Sequence, residues 1–236
     1  MAEPQSILAS STAPAGPTAT AAAAGAAVLV LVAHPELEQS RANGRLLRDA
    51  RTLQAASPAG RYEVRDLYAL YPDYLIDVAA EQQALVAARL VVWQQPIHWY
   101  GMPPLLKLWL DDVLAFGWAY GPGGTALRGK DLWLVATTGG PEDSYRPDSY
   151  NRYFFDAFMP PYEQTAALCG MRFLPPLLLH GAHKASEAEI AAHAATYTAR
   201  LADYPGWPEL AELEQCIECE VPLTARPMEN LAEEAA

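Results

Sequence analysis

Ala27-Val-Leu-Val-Leu-Val-Ala33 is apolar at every position, with no alternation of polar and apolar residues. Such a run suits a strand covered on both faces, as in a parallel sheet. Comparable runs follow at Arg89-Leu-Val-Val-Trp93, Asp131-Leu-Trp-Leu-Val-Ala136 and Met171-Arg-Phe-Leu-Pro175 leading into Leu177-Leu-Leu179, with a weaker one at Tyr62-Glu-Val-Arg-Asp66. Between these runs apolar residues recur at helical spacing over residues 41–56, 79–87, 103–115, 150–169 and 186–203.

Regular alternation of strand and helix predicts an α/β three-layer sandwich, a five-stranded parallel sheet with helices on both faces. Five strands suit flavodoxin-like order better than a six-stranded Rossmann sheet. In an open sheet of this kind a ligand binds beyond the carboxyl ends of the strands, near the point where strand order reverses. The loops after the first, third and fourth strands are therefore the candidate site.

After the first strand comes His34-Pro-Glu-Leu-Glu-Gln-Ser40-Arg-Ala-Asn43, with neither a G-x-G-x-x-G turn nor a P-loop. A dinucleotide cradle of the usual type is absent. Ser40 stands at the expected N-cap, where a hydroxyl and the free N–H groups of Arg41 and Ala42 suit a phosphate. Taken alone, the same residues also read as an ordinary helix cap. The third loop, Ile97-His98-Trp99-Tyr100, is aromatic and is closed by Pro103 and Pro104, which open the next helix. It reads equally as a surface for a flat ring and as a lid or subunit contact. In the fourth loop, Thr137-Thr138-Gly139-Gly140, two glycines let backbone approach a ligand and two hydroxyls offer donors. By itself this loop is a Gly-Gly turn; three such loops at adjacent strand ends point to one site.

Composition narrows the partners. Residues 1–27 are mostly Ala, Ser, Thr, Pro and Gly with Glu3 as the one charge, which reads as a disordered extension and lacks the basic residues of a secretory signal. Net charge is −12, but residues 205–236 hold eight acidic groups against Arg226, so residues 28–204 carry only about −4. No basic surface for nucleic acid exists. Three cysteines, Cys169, Cys216 and Cys219, are too few for a disulfide framework and place the chain in a reducing cytoplasm. Cys216-Ile-Glu-Cys219 lacks the second half of a zinc site, so no metal site is read and its thiols are expected to be unliganded. Apolar runs fall well short of the roughly 20 residues of a membrane span. The expected organisation is an extension (1–27), one domain (28–204) and an acidic tail (205–236).

An ordered series of stretches resembles the NAD(P)H-dependent quinone reductases that include DT-diaphorase, and most of all the FMN-binding ancillary proteins of glutathione-regulated potassium-efflux (Kef) systems. It comprises Ala33-His-Pro35, Ser40-x-Ala-Asn43, Ala50-Arg-Thr-Leu53, Leu70-Tyr-Pro-Asp73, Ala79-Ala-Glu-Gln82, Trp99-Tyr100, Pro103-Pro-Leu-Leu-Lys-Leu-Trp109, Gly117-Trp-Ala-Tyr-Gly121, Gly123-Gly-Thr-Ala-Leu127 and Thr137-Thr-Gly-Gly140. The resemblance implies that His34 and Ser40, Arg41, Ala42 and Asn43 hold the phosphate and ribityl end of FMN. It implies that Ile97, His98, Trp99, Tyr100, Thr137, Thr138, Gly139 and Gly140 line the isoalloxazine. It further implies hydride transfer from NAD(P)H to a quinone by alternate binding, a homodimer, and attachment to the cytoplasmic side of a Kef potassium-proton antiporter at the inner membrane. The catalytic Tyr of the family falls at Tyr145, whereas its His position is Asn151. Lys107 and Asp111, four residues apart on the helix opened by the prolines, read as a surface or interface pair. Two rival readings are a regulatory flavoprotein subunit of the antiporter with little enzyme activity, and a one-electron flavodoxin carrier.

Overall fold

The computed structural model describes residues 27–58 and 60–213. Strands β1 (Val28–Val32), β2 (Tyr62–Asp66), β3 (Leu90–Pro96), β4 (Asp131–Thr137) and β5 (Arg172–Leu179) form one sheet in the order β2-β1-β3-β4-β5, with every pairing parallel. This is the expected flavodoxin-like sheet. The crossovers run through helices α1 (Arg41–Ala56), α2 (Leu67–Leu70), α3 (Val78–Ala87), α4 (Pro104–Val113) and α5 (Pro160–Leu168), and α6 (Glu187–Asp203) follows the last strand.

The unbroken apolar strands are explained by two cores. Leu29 and Leu31 of β1 pack with Leu85 of α3, Trp109 of α4 and Tyr162 of α5, while Val28, Val30 and Val32 pack with Leu46 of α1 and Tyr197 of α6. Each buried Val or Leu contributes about 1.5–3 kcal/mol, and alternate residues of one strand serve opposite faces. Helix ends follow the sequence. Asp77 caps α3 through Ala80 N–H, Ser186 and Glu189 form a reciprocal capping box on α6, and Pro104 opens α4.

The structure departs from expectation at four places. β3 runs on through Gln94, Gln95 and Pro96, past the expected end at Trp93. Both glutamines are fully buried: Gln94 Nε2 donates to the Asn43 carbonyl (3.1 Å), Tyr197 Oη donates to Gln94 Oε1 (3.0 Å), and Gln95 Nε2 donates to Tyr162 Oη (2.9 Å), while Gln95 Oε1 has no partner. The continuous helix expected over 150–169 is instead a turn region, a 3-10 helix at Phe155–Phe158 and α5. Pro160 and Pro161 cannot sit inside a helix, so they begin a new one. α2 is one short helix capped by Asp66, too brief to show periodicity. Finally, packed structure continues past Tyr204: Trp207 is buried, edge-on to Trp133 at 5.0 Å, with the Arg200 guanidinium 4.8 Å above its ring. The extension before Ala27 and the Cys216–Cys219 stretch lie outside the described residues.

One buried carboxylate joins elements of the first core. Glu81 of α3, fully buried, accepts from Arg65 of β2 (2.5 and 2.9 Å), Tyr71 Oη (2.5 Å) and Trp109 Nε1 of α4 (2.9 Å). Strand order reverses between β1 and β3, so their carboxyl ends open the crevice where a ligand is expected.

Candidate active site

The loop after β1 brings His34 to the crevice, where its Nδ1 accepts the Glu36 N–H at 3.1 Å. The neutral ring therefore carries its proton on Nε2. Burial, and then the His98 ring with its centroid 6.2 Å away, lower the His34 pKa to about 4. Ser40 caps α1, its Oγ accepting from Asn43 N–H at 3.2 Å, so its own hydroxyl proton is free to be donated. Arg41 and Ala42 stand in the first turn, where N–H groups have no intrahelical acceptor. The Arg41 guanidinium binds Glu187 (2.5 Å) and the Ala185 carbonyl (3.0 Å), so this residue offers the crevice chiefly its backbone. Asn43 is buried; its Nδ2 donates to Thr137 Oγ1 at 2.9 Å, and its Oδ1 has no partner.

After β3 the chain reverses in a tight turn, with His98 N–H and Gly101 N–H each donating to the other's carbonyl at 3.0 Å. Trp99 (φ 49°) and Tyr100 (φ 65°) occupy its two central positions. Left-handed φ at both is a type I′ turn, ordinarily made by Asn-Gly or Gly-Gly. Bulky residues there cost on the order of 1–3 kcal/mol each, strain of the kind found at functional loops. The gain is display: Trp99 is 96% exposed, and Tyr100 stacks on Phe158 (5.1 Å) and donates to Asn151 Oδ1 (3.2 Å).

After β4, Thr138 Oγ1 donates to the Gly140 carbonyl at 2.7 Å, which fixes the Thr-Thr-Gly-Gly turn. A Cβ on Gly139 would meet nothing within 4 Å, whereas one on Gly140 would lie 2.7 Å from Ser144 Oγ. A side chain at 140 would press on the Ser144 hydroxyl, and Gly139 faces open space. Asn151 donates through Nδ2 to Ser144 Oγ at 2.8 Å. Tyr145 is buried, which pushes its phenol up, and its ring packs against those of Phe155 (5.1 Å) and His180 (5.4 Å).

These loops enclose two adjoining cavities. The larger, about 450 Å³, is lined by His34, Ser40, Arg41, Ala42, Ile97, His98, Thr137, Thr138 and Gly139, among others. The smaller, about 210 Å³, is lined by Ile97, Trp99, Tyr100, Gly139, Gly140 and Tyr145, joined by Tyr150 and Asn151. Ile97 and Gly139 border both, so the cavities form one elongated site with a polar end at α1 and an aromatic end at the β3 turn. Of the residues singled out in the sequence, all but Asn43 line one cavity or the other; Asn43 lies behind the polar end, bonded to Thr137. His180 and His183, in the turn after β5, were not singled out, although the loop after the fifth strand could have been read like the others. His183 lines the larger cavity and His180 contacts Thr138 and Tyr145. Lys107 and Asp111 pair on α4, both exposed, and border a separate 280 Å³ cavity whose Cys169 thiol is pushed by burial up to about 12. No helix among the described residues is long and apolar enough to cross a membrane.

The residues present fit a phosphorylated, polyhydroxylated flat ligand. The polar end supplies unpaired helix N–H groups, a free hydroxyl and a donor imidazole. The open face at Gly139 leaves room for a plane. The chain belongs to the flavodoxin-like fold family, whose model matches residues 26–201.

Within that family it is similar to the glutathione-regulated potassium-efflux system ancillary protein KefF of Citrobacter koseri, with 49% identity over 174 residues that cover 74% of this chain and 94% of that protein. Among solved structures it is similar to general stress protein 14 of Treponema denticola in complex with FMN, at 38% identity and TM-score 0.68 over 75% of this chain and 98% of that one. An NADPH-quinone reductase from P. pentosaceus matches at 25% identity and TM-score 0.63 over 73% of this chain and 95% of that one.

Proposed function

We propose that this protein is an FMN-dependent NAD(P)H:quinone oxidoreductase that also serves as the ancillary protein of a Kef-type potassium-proton antiporter, working in the cytoplasm as a homodimer at the antiporter's inner face. The observation that carries the enzyme reading is the continuity of the two cavities: a phosphate-type end at α1 and an aromatic end at the β3 turn share Ile97 and Gly139. The potassium-efflux part is supported by identity to an ancillary protein of such a system over nearly its whole length.

Bound FMN supplies a ring that accepts hydride and passes it on. The chain's own residues bind, orient and exclude water. Ser40 Oγ, the N–H groups of Arg41 and Ala42, and His34 Nε2 hold the phosphate. Asn43, bonded to Thr137, backs the end that holds the phosphate and ribityl chain. Ile97 and the Thr137–Gly140 backbone support the ring, while Trp99 and Tyr100 wall the outer end. Nicotinamide nucleotide and quinone take turns at the aromatic end. Tyr145 holds a proton there, its phenol kept neutral by burial.

Purified full-length protein, loaded with FMN and assayed at several fixed benzoquinone concentrations, is expected to give parallel double-reciprocal lines in NAD(P)H. Intersecting lines would overturn alternate binding, and absence of quinone-dependent NAD(P)H oxidation would overturn the enzyme reading. Co-purification with a co-expressed Kef-type antiporter tests the second part, and its failure would overturn it.

A further inference from the structure

Asn151 stands between the turn after β3 and the loop after β4, and hydrogen bonds join it to both. Its backbone N–H donates to the Ser144 carbonyl (3.3 Å) and its side-chain Nδ2 to Ser144 Oγ (2.8 Å), so the residue is tied twice to one partner. Its Oδ1 accepts from Tyr100 Oη at 3.2 Å. Ser144 is tied in turn to Pro141, whose carbonyl accepts from both its N–H (3.0 Å) and its hydroxyl (2.6 Å). These groups crowd against the Thr-Thr-Gly-Gly turn: a Cβ on Gly140 would lie 2.7 Å from Ser144 Oγ and 3.3 Å from Asn151 Nδ2.

The series of side-chain bonds runs one way. A carbonyl only accepts, so the Ser144 proton goes to Pro141 and the Ser144 oxygen meets Asn151 as an acceptor. The Asn151 atom facing it is then the amide nitrogen, which turns Oδ1 toward Tyr100 and makes the phenol the donor. Asn151 and Ser144 are both buried, where a broken link would strand a polar group. Tyr100 is the member that needs holding. Its φ of 65° is left-handed, a conformation that a bulky residue keeps only when its surroundings over-determine it. Two contacts do so: the ring stacks on Phe158 at 5.1 Å, and the hydroxyl is bonded to Asn151.

We propose that Asn151 is a positioning residue for Tyr100: its amide, fixed through Ser144 to the loop after β4, holds the Tyr100 phenol in the wall of the aromatic cavity that both residues line. The bond ties the β3 turn to the β4 loop and so sets the width of that end of the site. That the held phenol serves turnover rests on the function proposed above; the bond itself does not.

The full chain is compared with Tyr100→Phe, Asn151→Leu, the double variant and Asn151→Asp. N151L keeps the size of the side chain and loses both polar atoms, whereas N151D keeps an acceptor for Tyr100. In urea unfolding without FMN, the double variant is expected to be more stable than independent single effects would give. The difference is expected to be about threefold to tenfold in the unfolding constant, the net worth of one hydrogen bond. In turnover with FMN, NADPH and benzoquinone, kcat/KM is expected to fall about threefold to tenfold in Y100F and in N151L, and no further in the double variant. N151D is expected to return to within about twofold of wild type. Losses that multiply, in unfolding or in turnover, would overturn the assignment. So would an N151D as impaired as N151L, the mark of a residue that only packs. Asn151→Ala takes the place of N151L if that variant does not fold. If wild type binds FMN but does not turn over, the enzyme reading fails, and the unfolding comparison still decides whether Asn151 holds Tyr100.

Discussion

Replacing Ser40 by Asp tests the phosphate end without disturbing the fold. Asp caps a helix as well as Ser does, so it can accept the Asn43 N–H that Ser40 Oγ now accepts at 3.2 Å. Folded stability is expected to change by less than about 0.5 kcal/mol. The anion site changes far more, because a carboxylate replaces a donor hydroxyl where a group of charge about −1.5 to −2 would stand. A unit pair at about 4 Å costs about 1 kcal/mol in water and about 4 kcal/mol near a protein surface, and half-buried Ser40 lies between those limits. About 2–3 kcal/mol corresponds to a rise of roughly 30- to 150-fold in the FMN Kd. Fluorescence quenching of FMN and of riboflavin, which lacks the phosphate, gives the assay. Riboflavin is expected to bind S40D and wild type alike. An FMN Kd unchanged in S40D, or riboflavin weakened as much as FMN, would refute the placement of the phosphate at α1.

Two further outcomes follow from groups buried away from the site. Glu81→Ala leaves Arg65 and the Tyr71 and Trp109 donors without their shared acceptor, and is expected to cost about 3–5 kcal/mol in urea unfolding; a loss below about 1 kcal/mol would show the network to be slack. His193 is buried with Nε2 unpartnered, and burial lowers its pKa to about 4. Below about pH 6.5 the unfolded chain binds a proton that the folded chain refuses, so this stability is complete above pH 6.5 and is lost as pH falls toward 4. The loss is expected to reach up to about 3 kcal/mol and to flatten in His193→Phe; an equally steep acid limb in the variant would assign it elsewhere.

The sheet was legible because β1, β3 and β4 are buried on both faces and so carry unbroken apolar runs. What escaped were positions where polar groups are satisfied by distant partners. Gln94 and Gln95 lie past the expected end of the strand, yet Asn43 and Tyr197 bond both ends of the Gln94 amide and Tyr162 accepts from Gln95 Nε2. The prolines at 160 and 161 were visible and still were outweighed by flanking apolar periodicity. At the site, Ser40 and the Thr-Thr-Gly-Gly turn could be read as local chemistry. His180 could not be placed beside Tyr145 in the same way, because their contact depends on β5 lying beside β4. The strain at Trp99 and Tyr100 was equally invisible, since an aromatic pair gives no sign of a type I′ turn.

The central claim is that one site takes electrons from a nicotinamide and gives them to a quinone. Anaerobic sequential mixing of the FMN-loaded full chain tests it most directly. One equivalent of NADPH or NADH is expected to bleach the yellow absorbance, and one equivalent of benzoquinone added afterwards is expected to restore it fully. A chain that fails to retain FMN, that is not bleached by either nucleotide, or that stays bleached when quinone is added would contradict the account.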